Sequence, residues 1–471
     1  MRVARLAIPI SLFAVFLSIG LVSRPASVMA QVITATLRGT VHGADDGTPM
    51  AEVEVTLVNE ATGDIRTATT NADGAFAFTN LQVGGPYHLT ANFAGFKPSE
   101  EKGLILTASR TRDVDLGMRL QEEVIEVSGN AIARNTSNKT VVTAAEIDEL
   151  PSVNRDPRDV VRRNPEVTVE GGARALSIGG ANNRYNSITI DGIRQDDDFG
   201  LNASGYPTRR SPIGLSAVQE LAVDSSSFDV RYGKFLGGNV NIVTKSGTNE
   251  FKGTVFGTYA SDALLGSQSG PRTVNVDYRD FRYGATVGGP IIKDKLHFLA
   301  SIEGLRSSSP VSNGPLGSNA SVMTTGVTKT DMDRAIQIAH DVYGFDAGVA
   351  AQSAPERDLK VLGKLDWTIS PEHRASVSYQ RTGGNQYQTG VGASQNTLPL
   401  SSTWYNATDT LNTFTGRVTS DWSDKLSSEV EADAKLVSSR VPSLKGDDFM
   451  AATIGTPANM GGKPGDPPLR A

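Results

Sequence analysis

Apolar and polar side chains alternate along several segments in the C-terminal half of this chain. In residues 361–369, for example, Val361, Leu365 and Trp367 fall on one face, whereas Lys364 falls on the other. A period of two predicts β-strands that each have an apolar and a polar face. Such strands build either a soluble sandwich or a membrane barrel with a lipid-facing outside and a wet lumen, and the connections between them decide which.

Short and long connections alternate between these strands. Tight turns are predicted at 293–295, 370–373 and 423–425, and long connections at about 261–276, 306–358 and 385–407. This alternation is typical of outer-membrane barrels, in which the turns are periplasmic and the loops extracellular. The sequence therefore predicts a transmembrane antiparallel β-barrel in residues 250–471, with about seven strands.

Residues 1–30 predict a secretory signal peptide. A positive N-terminal region precedes an apolar stretch at 6–22, and small residues then lead to a cleavage site between Ala30 and Gln31. No later run approaches the ~18 apolar residues of a membrane-spanning helix. An exported chain of this kind can therefore enter a membrane only as a closed barrel.

Charge and residue usage exclude several functional classes. The 45 basic and 51 acidic side chains give a net charge of −6, so the composition does not indicate the basic surface that binds nucleic acid. The chain has no Cys, and its five His lack the spacing of a zinc site, so no metal and no cofactor are predicted. Without a nucleophile–base pair, a nucleophile elbow or a phosphate loop, the sequence predicts a protein that is not an enzyme.

Residues 31–120 contain short alternating segments that are separated by turn clusters. Val53 and Val55 alternate with polar residues, and Phe76 and Phe78 share one face of a later segment. Several short strands at this spacing, punctuated by Gly and Asp, predict a small β-sandwich. The stretch from GTVHGADDG to HLTANFAGF (39–96) also resembles the carboxypeptidase regulatory-like domain. The resemblance implies a transthyretin-like sandwich of seven strands without a catalytic role.

Residues 139–249 combine helix-capping signals with short strands and predict a small α/β domain. Thr143–Glu146 is a capping box that opens a short helix, and Asp156-Pro157 gives a second helix its cap and its first residue. Asp191-Gly192 is a strong hairpin signal between two short strands. A further helix is predicted at Ser216–Leu221, and the final strand at Asn239–Thr244.

Three stretches of this part of the chain resemble the plug of TonB-dependent outer-membrane receptors. They are ELPSVNRDPRDVVRRNPEVTV (149–169), LSIGGANNRYNSITIDGI (176–193) and the stretch from PIGLSAVQEL to FKGTVFGTY (212–259). Because the sandwich precedes them, the chain is most similar to the Oar-like subfamily of these receptors. The resemblance implies a mainly β protein with an N-terminal sandwich, an α/β plug and a transmembrane barrel.

The resemblance also implies a function and a location. The expected function is ligand uptake by a plug-gated receptor or transporter that is energised through TonB, in the outer membrane of a Gram-negative bacterium. The N-terminal domain is expected in the periplasm. The expected partners are the periplasmic protein TonB, outer-membrane lipid and an unidentified extracellular ligand, and not nucleic acid.

Residues 121–138 predict a linker between the sandwich and the plug. The linker contains a short β-branched strip with acidic neighbours: Glu122, Glu123, Val124, Ile125, Glu126 and Val127. A strip on a tether can pair with an exposed sheet edge of a partner. It resembles the TonB box, which TonB captures by such pairing. The alternative is that the strip is the last strand of the preceding sandwich.

A group of charged residues in the plug is a candidate for contact with the inner barrel wall. Its members are Arg155, Asp156, Arg158, Asp159, Arg162 and Arg163. The alternative is a solvated helix face with pairs such as Asp159–Arg163. The acidic loop at 196–198 could bind a ligand or a cation, although an ordinary acidic loop is the simpler interpretation.

Three aromatic residues on predicted outer loops of the plug, Tyr185, Phe199 and Tyr206, are candidates for ligand contact. Each could equally be a buried aromatic. Two other functions remain open: a surface adhesin or structural protein that uses the sandwich for interaction, and a signalling receptor that binds carbohydrate or peptide. Barrels of the resembled family close with about 22 strands. The chain is therefore also expected to be an N-terminal fragment with a truncated barrel.

Overall fold

The computed structural model describes residues 33–444 except 109, 121–138, 153, 170–174, 199–201, 203, 226–234, 267, 270–271, 274–277, 312, 319, 321, 350–352, 389–397, 399 and 424–425. The predicted signal peptide and the linker strip lie outside the described residues. The described residues form three β-rich units that follow one another along the chain. No helix in this part of the chain is long and apolar enough to cross a membrane.

The first unit is a β-sandwich. Its strands are β1 (Ala35–Gly43), β2 (Glu54–Asn59), β3 (Ile65–Thr69), β4 (Ala75–Leu81), β5 (Gly84–Asn92), β6 (Phe96–Lys97), β7 (Ser99–Leu106) and β8 (Thr111–Leu120). They form two four-stranded sheets, in the orders β4-β1-β8-β6 and β3-β2-β5-β7. Alternate residues such as Leu37, Leu57 and Leu89 point inward and are fully buried, which explains the period of two in the sequence.

The sandwich has eight strand segments rather than the seven that the resemblance implies. The shortest is β6, which pairs Phe96 with Leu120 and Lys97 with Arg119 at the edge of the first sheet. The predicted sandwich is confirmed, and the difference in strand number comes from this two-residue pairing.

The second unit is a small α/β domain. Its strands are β9 (Lys139–Thr143), β10 (Val167–Val169), β11 (Leu176–Ile178), β12 (Ser187–Ile190), β13 (Ile193–Arg194), β14 (Val218–Asp224) and β15 (Asn239–Thr244). Its helices are α1 (Ala144–Glu149) and α2 (Pro157–Val161), with 3-10 turns at Asn183–Tyr185 and Leu215–Ala217. The main sheet has the order β13-β12-β15-β14-β9, and β10 pairs with β11 separately. The fully buried strands β12 and β15 pair in parallel near its centre.

Local signals predict most of this domain correctly. Helix α1 begins at the predicted capping box. The Asp156 carboxylate accepts a hydrogen bond from the Arg158 amide at 3.0 Å and caps α2, which has Pro157 at its first position. Asp191 and Gly192 have positive φ angles of 48° and 85° and join β12 to β13 in the predicted two-residue hairpin.

The predicted helix at Ser216–Leu221 is wrong. Residues 218–224 form strand β14, which follows a single 3-10 turn. Ala, Gln, Glu and Leu favour a helix locally. However, β14 pairs with β15 on one side and with β9 on the other, and six of its seven residues are buried. Burial within the sheet overrides the local preference.

The third unit is a large antiparallel sheet. Its strands and the short pairs in its connections are β16 (Lys252–Ser261), β17 (Gln268–Ser269), β18 (Arg272–Thr273), β19 (Arg279–Ile292), β20 (Leu296–Pro310), β21 (Asn313–Leu316), β22 (Val322–Thr328), β23 (Ser353–Thr368), β24 (His373–Gln388), β25 (Tyr405–Ser423) and β26 (Leu426–Arg440). Its helices are α3 (Asp262–Leu265) and α4 (Lys329–Tyr343), with a 3-10 turn at Ser401–Thr403. The sheet has seven strands in the order β16-β19-β20-β23-β24-β25-β26, which is the number that the sequence predicts.

The large sheet has the predicted alternation of faces. On β23, Leu365 and Trp367 are 44% and 50% exposed, whereas Leu362 on the other face is 5% exposed. Short connections join β19 to β20, β23 to β24 and β25 to β26, and longer ones separate the remaining neighbours. The connection between β20 and β23 contains α4.

Candidate functional site

The α/β domain lies against the inner face of the seven-stranded sheet. Leu299 of β20 and Leu362 of β23 belong to the same buried cluster as Ile190, Leu221 and Ile242 of the α/β domain. The exposed apolar side chains of the sheet are on its opposite face, as a lipid-facing barrel requires. The contact between domain and sheet is the candidate functional site, because its strength decides how easily the domain can move.

Two neighbouring arginines join the α/β domain to the sheet. Arg210 donates to Glu356 of β23 through Nε and Nη2, at 2.5 and 2.6 Å. Arg209 forms an ion pair with Asp409 of β25 at 3.0 Å. Glu356 is 5% exposed and Asp409 is 0% exposed, so both pairs are shielded from solvent. Charge-assisted contacts in such surroundings are stronger than the same contacts in water.

Arg155 is the member of the predicted charged cluster that reaches the sheet. Its Nε lies 3.5 Å from Oε2 of Glu303, and its guanidinium lies 3.7 Å from the centroid of the Phe256 ring. Its Nη2 donates to Ser216 Oγ within the α/β domain at 2.6 Å. Arg155 has a φ of +51°, which is uncommon for a residue other than glycine, and these three contacts hold it there.

Asp156 and Arg158 pair with each other inside the α/β domain instead of contacting the sheet. The Arg158 guanidinium donates to both Asp156 oxygens at 3.0 and 2.6 Å, and it lies 4.6 Å from the centroid of the Tyr206 ring. Burial alone would raise the pKa of Asp156, but the Arg158 guanidinium outweighs burial and holds this pKa below its ordinary value. The ionised pair therefore stabilises the start of α2.

The remaining members of the predicted cluster have different surroundings. The Asp159 carboxylate accepts a hydrogen bond from Ser152 Oγ at 2.8 Å. Among the ion pairs of the described residues, none joins Asp159 to Arg163, which the helix-face alternative requires. Arg162 and Arg163 are exposed. The structure thus does not bring all six residues together at the wall.

Donors on the inner face of the sheet also hold the main chain of the α/β domain. Arg417 of β25 donates to the Asp191 carbonyl at 3.1 Å, beside the tip of the β12–β13 hairpin. On β24, Gln380 and Thr382 both donate to the Pro212 carbonyl, at 2.8 and 2.5 Å. These bonds satisfy carbonyl groups in irregular backbone, which would otherwise be buried without partners.

Each carboxylate of the acidic loop at 196–198 has a hydrogen-bond partner, and that of Asp198 lies on the sheet. The Asp196 carboxylate accepts from the Ile188 amide at 2.7 Å, and Asp197 accepts from a backbone amide of its own loop at 2.5 Å. The Asp198 carboxylate accepts from Lys435 of β26 at 2.7 Å. The described residues contain no group of His, Asp and Glu that could hold a metal ion. The loop contacts the sheet through Asp198 and Lys435.

The three aromatic ligand-contact candidates have different positions. Tyr185 is 52% exposed at the end of a 3-10 turn. Tyr206 is 1% exposed and lies in the interior. Its ring packs against the Arg158 guanidinium in the domain core, which is the alternative that the sequence left open. Phe199 lies outside the described residues.

Two ion pairs between the α/β domain and the sheet involve residues that the sequence did not identify as site residues. Arg209 and Arg210 lie in an irregular loop, where no period indicates their direction. Glu356 and Asp409 occupy buried positions on strands whose alternate residues face outward. A charged residue on the inner face of a barrel strand has to meet the lumen or its contents. That rule could have identified the two acids, but not their partners.

Comparison with known families gives each unit a counterpart. Residues 36–119 match the carboxypeptidase regulatory-like domain, residues 131–240 match the TonB-dependent receptor plug domain, and residues 243–343 match an outer membrane beta barrel domain. These three matches are similar in kind and order to the domains that the resemblance to TonB-dependent receptors implies. The α/β domain is thus the plug, the seven-stranded sheet is barrel wall, and the protein is located in the outer membrane.

Two relatives among curated proteins are TonB-dependent proteins. The TonB-dependent transporter Oar of Myxococcus xanthus is 28% identical over 369 residues, which are 74% of this chain and 33% of Oar. The probable TonB-dependent siderophore receptor PirA of Acinetobacter baumannii is 28% identical over 192 residues, which are 37% of this chain and 24% of that receptor. The chain thus spans about a third of the length of Oar (33%).

Solved structures of two receptors from Pseudomonas aeruginosa are similar at lower identity. A ferric enterobactin receptor is 18% identical, with a TM-score of 0.45 over 64% of this chain and 40% of that chain. The siderophore receptor PirA is 16% identical, with a TM-score of 0.41 over 65% of this chain and 42% of that chain.

Proposed function

We propose that this chain provides the linker, the plug and barrel wall of a TonB-dependent transporter. In this proposal the plug closes the barrel lumen at rest. TonB pairs with the linker strip Glu122–Val127, pulls on it, and displaces the plug so that an extracellular ligand can enter. The energy for the displacement comes from the inner membrane and not from a reaction at the plug.

The contact between plug and barrel wall is the observation that carries this proposal. It consists largely of side-chain hydrogen bonds and ion pairs, such as Arg210 with Glu356 and Gln380 with the Pro212 carbonyl. The net cost of exchanging such a bond for one with water is about 0.5–1.5 kcal/mol for a neutral hydrogen bond and about 1.5–3 kcal/mol for one to a charged group. Such an interface can hold a domain in place and still release it under load.

The position of the sandwich supports a periplasmic location for the linker. The sandwich contacts the short connections of the barrel, through Asn249 before β16, Arg374 near the start of β24 and Asp421 near the end of β25. Short connections are at the periplasmic end of outer-membrane barrels. A linker on this side can meet TonB, whereas an adhesin would need its sandwich at the opposite end.

Site-specific crosslinking to TonB in cells tests the proposed coupling. Deletion of Glu122–Val127 is expected to abolish crosslinking, because the strip supplies the backbone and side chains for strand pairing. The matched control deletes Ala131–Thr136, which shortens the same linker equally but leaves the strip. Undiminished crosslinking after the first deletion, with the receptor still in the outer membrane, refutes the assignment of the strip.

Uptake measurements test the ligand class. PirA of A. baumannii, a relative of this chain, is described as a probable siderophore receptor. We therefore propose ferric siderophores as the first ligands to examine, with radioactive iron as the label. Uptake that requires both TonB and Glu122–Val127 supports transport, and binding without TonB-dependent uptake contradicts it.

A further inference from the structure

The sandwich contacts the barrel and the plug at the same time. Its contact with the barrel consists of Asp64, Arg66 and Ala61 on one side and of Arg374, Asp421 and Asn249 on the other. Its contact with the plug consists of Ala108 and Arg110 on one side and of Glu220 and Lys139 on the other. We call these the sandwich–barrel contact and the sandwich–plug contact.

The sandwich–barrel contact is a chain of alternating charges. Arg374 donates to both Asp64 oxygens through Nη2, at 2.7 and 2.8 Å, and its Nε donates to Asp64 Oδ2 at 3.1 Å. Arg66 lies 3.6 Å from Asp64 and pairs with Asp421. The Asn249 amide also donates to the Ala61 carbonyl at 2.8 Å. Backbone and side-chain bonds thus fix the sandwich to several parts of the barrel.

The sandwich–plug contact is buried and lies where the linker enters the plug. The Ala108 amide donates to both carboxylate oxygens of Glu220, at 3.1 and 2.9 Å. Arg110 Nη2 donates to the Lys139 carbonyl at 2.6 Å, and Lys139 Nζ lies 3.4 Å from the Ala108 carbonyl. Glu220 is 1% exposed and Ala108 is 0% exposed. Lys139 is the first residue of β9 and directly follows the linker.

The two ends of the linker differ in how firmly their strands are held. Strand β8, which ends at Leu120, lies inside its sheet and pairs with β1 along Thr36–Gly43. Strand β9, which begins at Lys139, is an edge strand of the plug sheet and pairs only with β14 among the described strands. At the plug end, a load on the linker therefore acts on β9, which is paired on one side. The sandwich–plug contact keeps β9 in place.

We propose that the sandwich is a strut that ties the first plug strand to the barrel wall, so that load on the linker moves the plug only after the sandwich–plug contact opens. This inference rests on the proposed function, because TonB supplies the load. Glu220 and Arg110 are positioning residues in it. The strut makes the plug resist weak or brief pulls, since the barrel bears them through the sandwich.

Hydrogen exchange of the receptor in detergent, without TonB, tests the strut itself. Glu220→Ala leaves the buried Ala108 amide without an acceptor, so exchange of the β9 amides is expected to rise about tenfold. Glu220→Gln keeps an acceptor of the same shape and is expected to restore slow exchange. Glu149→Ala removes an exposed acid of α1 and serves as the control that leaves β9 unchanged.

A remote variant distinguishes a strut from a local contact. Asp64→Ala breaks the sandwich–barrel contact, and in a strut it also speeds exchange of β9. Asp113→Ala is the matched control, because Asp113 pairs with Arg38 at 2.5 Å within the sandwich. If Asp64→Ala leaves β9 as slow as in the control, the sandwich does not transmit the hold of the barrel, and the strut is refuted.

The response to load is measured with a single thiol. The chain has no Cys, so Val141→Cys on β9 can be labelled alone with a maleimide in energised cells. Glu220→Ala and Asp64→Ala are expected to label faster than their controls, and the difference is expected to widen when TonB is present. If the labelling rates are the same with and without TonB while the differences in hydrogen exchange between the variants persist, the coupling to TonB is refuted and the strut is not. TonB-dependent labelling that is equal in every variant overturns the strut and leaves the coupling standing.

Discussion

Arg210 of the plug and Glu356 of the barrel wall form a two-point ion pair, with an Nε–Oε1 distance of 2.5 Å and an Nη2–Oε2 distance of 2.6 Å. The Glu356 side chain is 6% exposed and that of Arg210 is 21% exposed. Two parallel bonds fix direction as well as distance. The pair therefore sets how the plug loop that carries Arg210 sits on β23.

Removal of one partner of this pair is expected to loosen the plug. Glu356→Ala leaves the Arg210 guanidinium largely buried without its partner, which typically costs about 2–5 kcal/mol. Asp358 and Asp280 also stabilise the Arg210 charge, so we expect a value near the low end, about 2 kcal/mol. Hydrogen exchange of β12 and β14 measures the loss. Arg162→Ala, which changes an exposed arginine, is the control and should leave both strands unaffected.

The sandwich–plug contact is expected to depend on pH through Glu220. Burial raises the pKa of Glu220 from 4.5 to about 7, although the Ala108 amide, Lys139 and Arg110 oppose this shift. The docked carboxyl therefore keeps a proton that a water-exposed carboxyl releases between pH 4.5 and about 7. Docking of the sandwich on the plug is thus strongest below this window and weakens as the pH rises through it. The total loss of docking free energy is at most about 3 kcal/mol, and docking is constant above the window.

Opening rates of the contact at pH 5.5 and 7.5 provide the measurement, from exchange of the β9 amides corrected for the intrinsic rate at each pH. Faster opening at the higher pH is expected in the native receptor. Glu220→Gln cannot titrate, so its corrected rates should agree at the two values. The same pH dependence in that variant would place the titrating group elsewhere.

Gly63 is expected to tolerate no side chain where the sandwich meets the barrel. It has a φ of +73°, and an added methyl group would overlap the Asp294 carboxylate in the β19–β20 turn. Gly63→Ala should therefore push the sandwich away and speed exchange of the Asn249 amide, which donates to Ala61. Gly47→Ala has the same backbone cost, about 1 kcal/mol at a φ of +67°, but meets no neighbour within 4 Å. Equal exchange in the two variants would contradict the expectation.

Short-range signals were sufficient for most elements of the fold. The N-cap at Asp156 and the Asp191-Gly192 turn need only their immediate neighbours in sequence, and both are found as predicted. The long barrel strands repeat one rule many times, so single exceptions such as the buried Leu362 do not obscure it. Strand β14 was missed because its pairing with β9 and β15 joins parts of the chain that are distant in sequence.

The contacts of the candidate site are beyond such signals. Arg210 and Glu356 are 146 residues apart, and Arg66 and Asp421 are 355 residues apart. No local period links the members of either pair. The sequence placed Arg155 and Arg158 in one charged cluster, yet one contacts the barrel wall and the other a carboxylate two residues away. The direction of a side chain in irregular backbone depends on contacts that form only when the domains pack together.

Recognition of the linker by TonB is expected to depend on the backbone of the strip Glu122–Val127. If TonB pairs with Glu122–Val127 as an added strand, recognition depends on backbone amides as well as on side chains. Ile125→Pro removes one amide and fixes φ, so we expect crosslinking to TonB to fall about tenfold or more. Ile132→Pro makes the same change at an isoleucine outside the strip and should preserve crosslinking. Equal losses would mean that TonB responds to linker flexibility, and equal retention would mean that the strip is not paired as a strand.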